Sequence, residues 1–263
     1  MTSQELERQR ARNYRRLPAL KVNGEEEAVR FIEECGFLLL FSVRGVELPD
    51  LWQATATRGE AWHWKETLPG AKKCAYGKVL RRKGTFISWE YFPGFMAAYG
   101  SPNSYLQDYR AGLLNQVEKQ ILETLEERGP LLTRELRRAI GLPGKAGTRQ
   151  FHRALEGLQA QMRVTVAGGI LSGWTMHRWE LIGNWVPLPV LKEGWRLSRE
   201  QAQRKLLLRY LKTVVAARVE DMVRLFRWNQ AELERLVRDL ATEGMVEMGM
   251  DIVGLPGKWV VVS

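Results

Sequence analysis

Two stretches of the 263-residue chain repeat one order of elements: helix, helix, helix, β-hairpin. That order predicts a helix-rich α+β protein of tandem winged-helix domains, each a helix-turn-helix with a β-hairpin wing. Residues 113–182 carry three amphipathic helical patterns followed by two strand-like runs, and residues 198–262 carry the same series. The apolar positions of the two stretches also superpose. Leu122, Leu125, Leu136 and Ile140 each meet an apolar residue 86 positions on, at Leu208, Leu211, Met222 and Phe226. With the following loop shortened by four residues, Leu155 and Leu158 meet Val237 and Leu240. Core positions that recur in order on three helices are the signature of one repeated supersecondary unit.

Residues 1–23 read as a basic N-terminal arm, with Arg8, Arg10, Arg12, Arg15 and Arg16 close together before Pro18. Such an arm is either a solvated terminus or a strap along phosphates. Residues 24–108 read as one compact α+β domain, a divergent winged helix. Its first helix runs from Glu25 to Glu34, with Ala28, Val29, Phe31 and Ile32 as the apolar face and Gly36 as the stop. FLLLF is a short buried strand, Arg44-Gly45 a turn, and Leu48 to Ala56 a second helix. The aromatic-rich stretch Trp62 to Tyr99 is core, and TFISWEYF within it reads as a strand.

In the winged helix at 109–190, LLNQVEKQILETLEERG is closed by Gly129-Pro130. LTRELRRAIG follows with Thr133 as N-cap, and Thr148 caps RQFHRALEGLQAQ. RVTVAGGILSGWTMHRWELI forms the hairpin around a Gly-Gly turn. In the winged helix at 191–263, Ser198 caps SREQAQRKLLLRYLKTV, VEDMVRLFRW is the second helix, and Asn229 caps NQAELERLVRDLATEG. MVEMGMDIV and KWVVV make the last hairpin.

The formal charge of +10 and pI near 9.8 call for an anionic partner. The surplus is +4 in residues 1–23, zero in 24–112, and +3 in each of 113–195 and 196–263. In the middle domain it is polarised, with the basic residues following the acidic helix 113–127. Arg137, Arg138, Lys145, Arg149, Gln150, Arg153 and Arg163 are therefore the candidate contacts to double-stranded DNA. Arg149, Gln150 and Arg153 fall on the first turns of the third helix, the one that enters the major groove in winged helices. Trp174, Met176, His177 and Arg178 on the hairpin could contact the groove or pack the wing onto its helices. The last domain's third helix, with Glu232, Glu234, Arg235, Arg238 and Asp239, has mixed signs that oppose a phosphate surface, and it is expected to pack against a neighbouring domain or a partner.

Two cysteines, Cys35 and Cys74, and three scattered histidines make neither a disulfide framework nor a metal-ligand spacing, so no metal or cofactor is expected. The charged N-terminus lacks a secretory h-region and no apolar run is long enough for a bilayer. The expected location is cytoplasmic, with no membrane association.

LLTRELRRAIGLPGKAGTRQFHRALEGLQAQMRVTVAGG, HRWELIGNWVPLPV, GVELPDLW, YGKVLRRKGTFISWE and the last repeat together resemble the AlkZ/YcaQ family of winged-helix DNA glycosylases, in particular its shorter AlkZ-related members. The resemblance implies tandem winged helices forming a concave basic face for duplex DNA, and family enzymes excise alkylated or crosslinked bases. It also implies a Gln-x-Gln or Gln-x-Asp pair near the N-terminus that positions water at the anomeric carbon. The matching stretch here is Gly36-Phe37-Leu38-Leu39-Leu40-Phe41, where no side chain can activate water. Gln159-Ala160-Gln161 and Gln201-Ala202-Gln203 have similar letters but sit on helices of the later repeats. The C-terminal domain of larger members is not expected.

The leading expectation is a DNA-binding protein that recognises damaged or structured duplex without glycosylase activity. A base-excision enzyme with a relocated carboxylate, Glu47 or Asp50, is one alternative. A protein-docking module is another.

Overall fold

The computed structural model describes residues 1–171 and 176–263, apart from the Arg58 side chain. Among the described residues lie three three-stranded antiparallel sheets of identical order, in which the first strand of each pairs with the third and the third with the second. The chain begins with α1 (Ser3–Asn13). The first unit comprises α2 (Gly24–Cys35), β1 (Phe37–Leu39), α3 (Leu51–Ala54), α4 (Arg58–Gly70), β2 (Ala75–Gly77) and β3 (Thr85–Ile87). Two linking helices follow, α5 (Phe92–Tyr99) and α6 (Tyr105–Arg110).

The middle unit comprises α7 (Gln116–Arg128), β4 (Leu131–Leu132), α8 (Thr133–Ala139), α9 (Thr148–Ala160), β5 (Val164–Ile170) and β6 (Met176–Leu181). After α10 (Ile182–Trp185) and α11 (Leu188–Arg196), the third unit comprises α12 (Arg199–Val214), β7 (Ala216–Ala217), α13 (Val219–Phe226), α14 (Gln230–Thr242), β8 (Val246–Met250) and β9 (Trp259–Val262). This is a tandem winged-helix fold, and the first unit follows the same plan as the other two. No helix among the described residues is long and apolar enough to cross a membrane.

The apolar run Phe37 to Leu40 has a physical cause in how the units pack. Phe37 and Leu39 enter a core shared with the third unit, beside Phe95, Leu206, Tyr210 and Phe226. Leu38 and Leu40 enter the core shared with the middle unit, beside Ile121, Leu155 and Val166. Both faces of this small sheet are therefore buried, and a strand buried on both faces reads as a continuous hydrophobic run. Of the repeat positions, Leu122, Leu125, Leu136, Leu155 and Leu158 are buried in the middle unit and Leu211, Met222, Phe226, Val237 and Leu240 in the third, whereas Ile140 and Leu208 are only half-buried.

Several expectations are corrected. The basic arm is a helix closed by a reciprocal cap between Thr2 and Glu5. Leu6 packs with Val215, Ala216, Ile252 and Trp259 of the third unit. Arg10 is 5% exposed and donates from Nε to the Val214 carbonyl at 3.1 Å and from a terminal nitrogen to that of Ala216 at 2.8 Å. These two carbonyls bracket Val215, whose φ of 70° is unusual for a β-branched residue. Arg10 thus pins both the N-terminal helix and a strained helix end.

The second helix is confined to Leu51–Ala54, and a 13-residue helix, α4, follows it. Its Trp, His and Thr content, with Pro69 near the end, hides it from a reading by helix propensity. The strand at TFISWEYF stops at Ile87, and Phe92 opens a helix with Pro93 in its first turn. Leu132 and Gly147, rather than Thr133 and Thr148, stand at the N-cap positions of α8 and α9. The Gly-Gly pair lies within β5, at a register shift between Val166 and Gly169, and not at the hairpin turn.

Candidate nucleic-acid interface

The third helix is the reading element of a winged helix, and the three units use theirs differently. In the first unit α4 is packed against β5, the wing of the middle unit, and its Lys65 and Glu66 are buried at that seam. In the third unit the exposed charges of α14 are balanced on the protein: Arg235 pairs with Glu200 of α12 at 3.0 Å, and Glu243, just past α14, pairs with Arg204. The exposed positions of α14, among them Glu232, Arg235, Arg238 and Asp239, face solvent, so within the chain this face does not pack against a neighbouring unit. Of the three, α9 is the helix with an exposed cationic face.

Arg149, His152, Arg153 and Glu156 share that face at helical spacing, with Gln150 on the first turn; Arg149, Gln150, His152 and Arg153 are exposed. Lys145 is exposed in the loop before the helix, and Arg138 is exposed on α8. Arg137 has a different role. Its guanidinium donates to the carbonyls of Leu142 and Gly144 and to the Thr148 hydroxyl, and it lies 5.8 Å over the Phe151 ring. It shapes the loop that presents Lys145 and Arg149.

The C-terminal half of α9 meets the hairpin loop of the first unit. The backbone N–H of Lys78 donates to Gln159 Oε1 at 2.9 Å, and the Lys78 ammonium pairs with Glu156. Beyond Lys78 the loop carries Arg81, Arg82 and Lys83, the last two exposed. Arg81 donates to the Arg224 carbonyl at 3.2 Å, and Arg224 in turn donates to the Gly45 carbonyl at 3.2 Å, so the loop is tied to the third unit as well. The cation-rich 78–83 loop thus abuts α9. The proximity is felt at His152, whose pKa is lowered by burial and then by the Arg137 and Lys78 cations.

The sequence reading passes over this loop because the 24–112 segment sums to zero. Its acids are concentrated elsewhere, and no Asp or Glu occurs between Glu66 and Glu90, where Lys72, Lys73, Lys78, Arg81, Arg82 and Lys83 lie. Charge polarity within the segment, rather than its sum, is the signal that points to it.

The remaining candidates separate. Arg178 is exposed on β6, opposite Leu132. Arg163 lies at the other end of α9, where its guanidinium pairs with the buried Asp108 beside a cleft of ≈ 740 Å³. Burial alone would raise the Asp108 pKa, but hydrogen bonds with Ser101 and Asn103 and the Arg163 cation hold it low. Arg163 is thereby removed from the cationic face.

His177 is also withdrawn. Its Nδ1 lies 3.4 Å from Glu66 Oε1, between the Tyr76 and Trp179 rings, and burial, reinforced by Lys65 and Lys78, lowers its pKa to about 3. Met176 is half-buried at the start of β6, and Trp174 lies outside the described residues.

The carboxylates proposed for chemistry are occupied. Glu47 sits 3.3 Å from the Arg10 guanidinium, and Asp50 caps α3 by accepting from the Gln53 N–H at 2.8 Å. Burial raises the Asp50 pKa, against the Gln53 hydrogen bond and the Arg16 and Lys21 cations. The two Gln-Ala-Gln runs also have structural uses. Gln159 receives Lys78, and Gln201 completes the cap with Ser198. Among the described residues no group of three or more His, Cys, Asp or Glu is arranged to hold a metal ion.

No curated protein sequence matches the chain. Among solved structures, the Streptomyces sahachiroi DNA glycosylase AlkZ superposes with a TM-score of 0.61 at 15% identity, over 100% of this chain and 70% of that one, a likeness of fold. The model of the family described as AlkZ related matches residues 22–227, which take in all of the first and middle units and run to the end of α13. The chain belongs to the AlkZ-related family.

Proposed function

We propose that this protein binds double-stranded DNA through α9, the 78–83 loop and Arg178, and recognises damaged or structured duplex without hydrolysing the glycosidic bond. The observation that carries this reading is the joining of α9 to the 78–83 loop through Lys78, which brings a second cation-rich segment next to that helix. Kinship with a DNA glycosylase fold supports a DNA substrate. The burial of Phe37, Leu38, Leu39 and Leu40 in the core supports a role other than base excision.

Lysine and arginine bind DNA by displacing condensed counterions, so affinity falls as salt rises. Arg149→Glu with Arg153→Glu should weaken duplex binding at every sequence, and removing one cation from a phosphate should reduce the log–log salt slope by about 1. Fluorescence anisotropy against salt measures both. A titration flat in salt, or a double variant that binds like wild type, would reject the proposal. Abasic sites formed in alkylated duplex by wild type and not by Glu47→Gln would establish the base-excision alternative instead.

A further inference from the structure

A second surface adjoins the cationic face and has different chemistry. Phe41, at the end of the β1 run, and Trp62, on α4, are 41% and 40% exposed. The Phe41 ring centroid lies 4.9 Å from that of the half-buried Trp52 and 6.1 Å from that of Trp62. Backbone bonds hold this trio in place: the Trp52 N–H donates to the Leu40 carbonyl at 3.0 Å, and the Leu40 N–H donates to that of Gly84 at 2.8 Å. One side of Trp62 is covered by the Lys65 ammonium, 3.7 Å from the ring centroid.

Beside Phe41 lies an open hollow of ≈ 330 Å³ lined by Phe41, Ser42, Val43, Arg44, Lys83 and Gly84. That is near the lower end of small-ligand site volumes, ~300–1,000 Å³. No carboxylate among the described residues lines it, while Arg44 and Lys83 are both exposed. Lys83 also ends the loop whose first residue, Lys78, bonds to α9, so one loop connects the hollow to that helix.

Exposed rings beside a hollow lined by two cations and no carboxylate suit a strand whose bases are unpaired, because each base offers a π-face and each nucleotide a phosphate. An apolar protein partner would gain nothing from Arg44 and Lys83. The site is open rather than enclosed, which favours a running single strand over one base held in a closed pocket.

We propose that Phe41, Trp52 and Trp62, with Arg44 and Lys83, form a stacking platform for single-stranded DNA adjoining the duplex, so that the preferred ligand is a duplex with an unpaired tail. The inference rests on the duplex-binding reading above.

The test compares a blunt duplex, the same duplex with a single-stranded tail of about five nucleotides, and one with a single unpaired bulge, by anisotropy and by quenching of tryptophan fluorescence. Wild type should bind the tailed duplex about tenfold more tightly than the blunt one, the scale expected for stacking one or two bases. Phe41→Ala with Trp62→Ala should bring that ratio to about one and leave blunt-duplex affinity unchanged. Phe41→Ala alone, and Arg44→Glu, should each lower the ratio, and they serve if the double variant melts early. Equal wild-type affinity for tailed and blunt duplexes, a ratio that survives these substitutions, or a preference for the bulge alone overturns the platform while duplex binding stands. Absence of any duplex binding overturns both.

Discussion

Gly70, at the end of α4, and Gly168, in β5, meet backbone to backbone: a Cβ built on Gly168 would lie 3.1 Å from the Gly70 Cα. This contact seats the middle unit's wing on α4 of the first unit. Gly168 also has a φ of +110°, a conformation open to glycine and strained for any other residue.

Gly168→Ala should therefore destabilise the protein by on the order of 1–3 kcal/mol, the cost of a side chain forced into a forbidden backbone region, with the steric contact added. Gly70→Ala should cost less. Its φ is helical, alanine favours helix by about 1 kcal/mol over glycine, and the opposing crowding is milder at 3.3 Å. Urea midpoints of the two variants check the order, and equal losses would contradict it.

Phe37 occupies part of the stretch where the family resemblance implies a polar pair, yet it is fully buried, edge-on to Phe95 at 5.1 Å and Phe226 at 6.3 Å. Phe37→Gln should lower stability by about 3–5 kcal/mol, as loss of a buried phenyl ring does, because the amide would also enter a core without partners. No abasic sites should appear in alkylated duplex. Chemical denaturation and an abasic-site assay read the two outcomes, and a stable, active variant would refute this account of the strand.

His177 supplies a pH test. Its folded pKa of about 3 lies below the value near 6.5 of an unfolded histidine, so the unfolded chain takes up the proton first as pH falls. The native state is then penalised progressively between about pH 6.5 and about pH 3, with a limiting slope of about 1.4 kcal/mol per pH unit. Glu66, whose pKa burial raises, acts in the opposite sense, since the folded protein protonates it before the unfolded chain does. Comparing wild type with His177→Gln isolates the histidine. Their stability difference should be constant above about pH 7 and should shift towards the variant as pH falls to about 4.5. Urea unfolding across this range measures it, and a constant difference throughout would show that His177 is not held neutral.

The amino-acid sequence by itself determined the repeated unit, its helices and the caps at Ser198 and Asn229. Amphipathic period and capping are properties of a few neighbouring residues, and they need no knowledge of what lies across the fold. It also placed Arg149, Gln150 and Arg153 on the first turns of the middle unit's third helix, where they are exposed. Tertiary structure alone decided which cations share a face. Arg163 and Arg137 lie near the others in sequence but bond internally, whereas Lys78, some seventy positions away, arrives beside α9. Likewise FLLLF announced a buried strand, but only the packing of a unit on each side explains why both faces of Phe37 to Leu40 are apolar. Coulomb interaction and burial depend on distance through space, and the chain order of residues does not encode that distance.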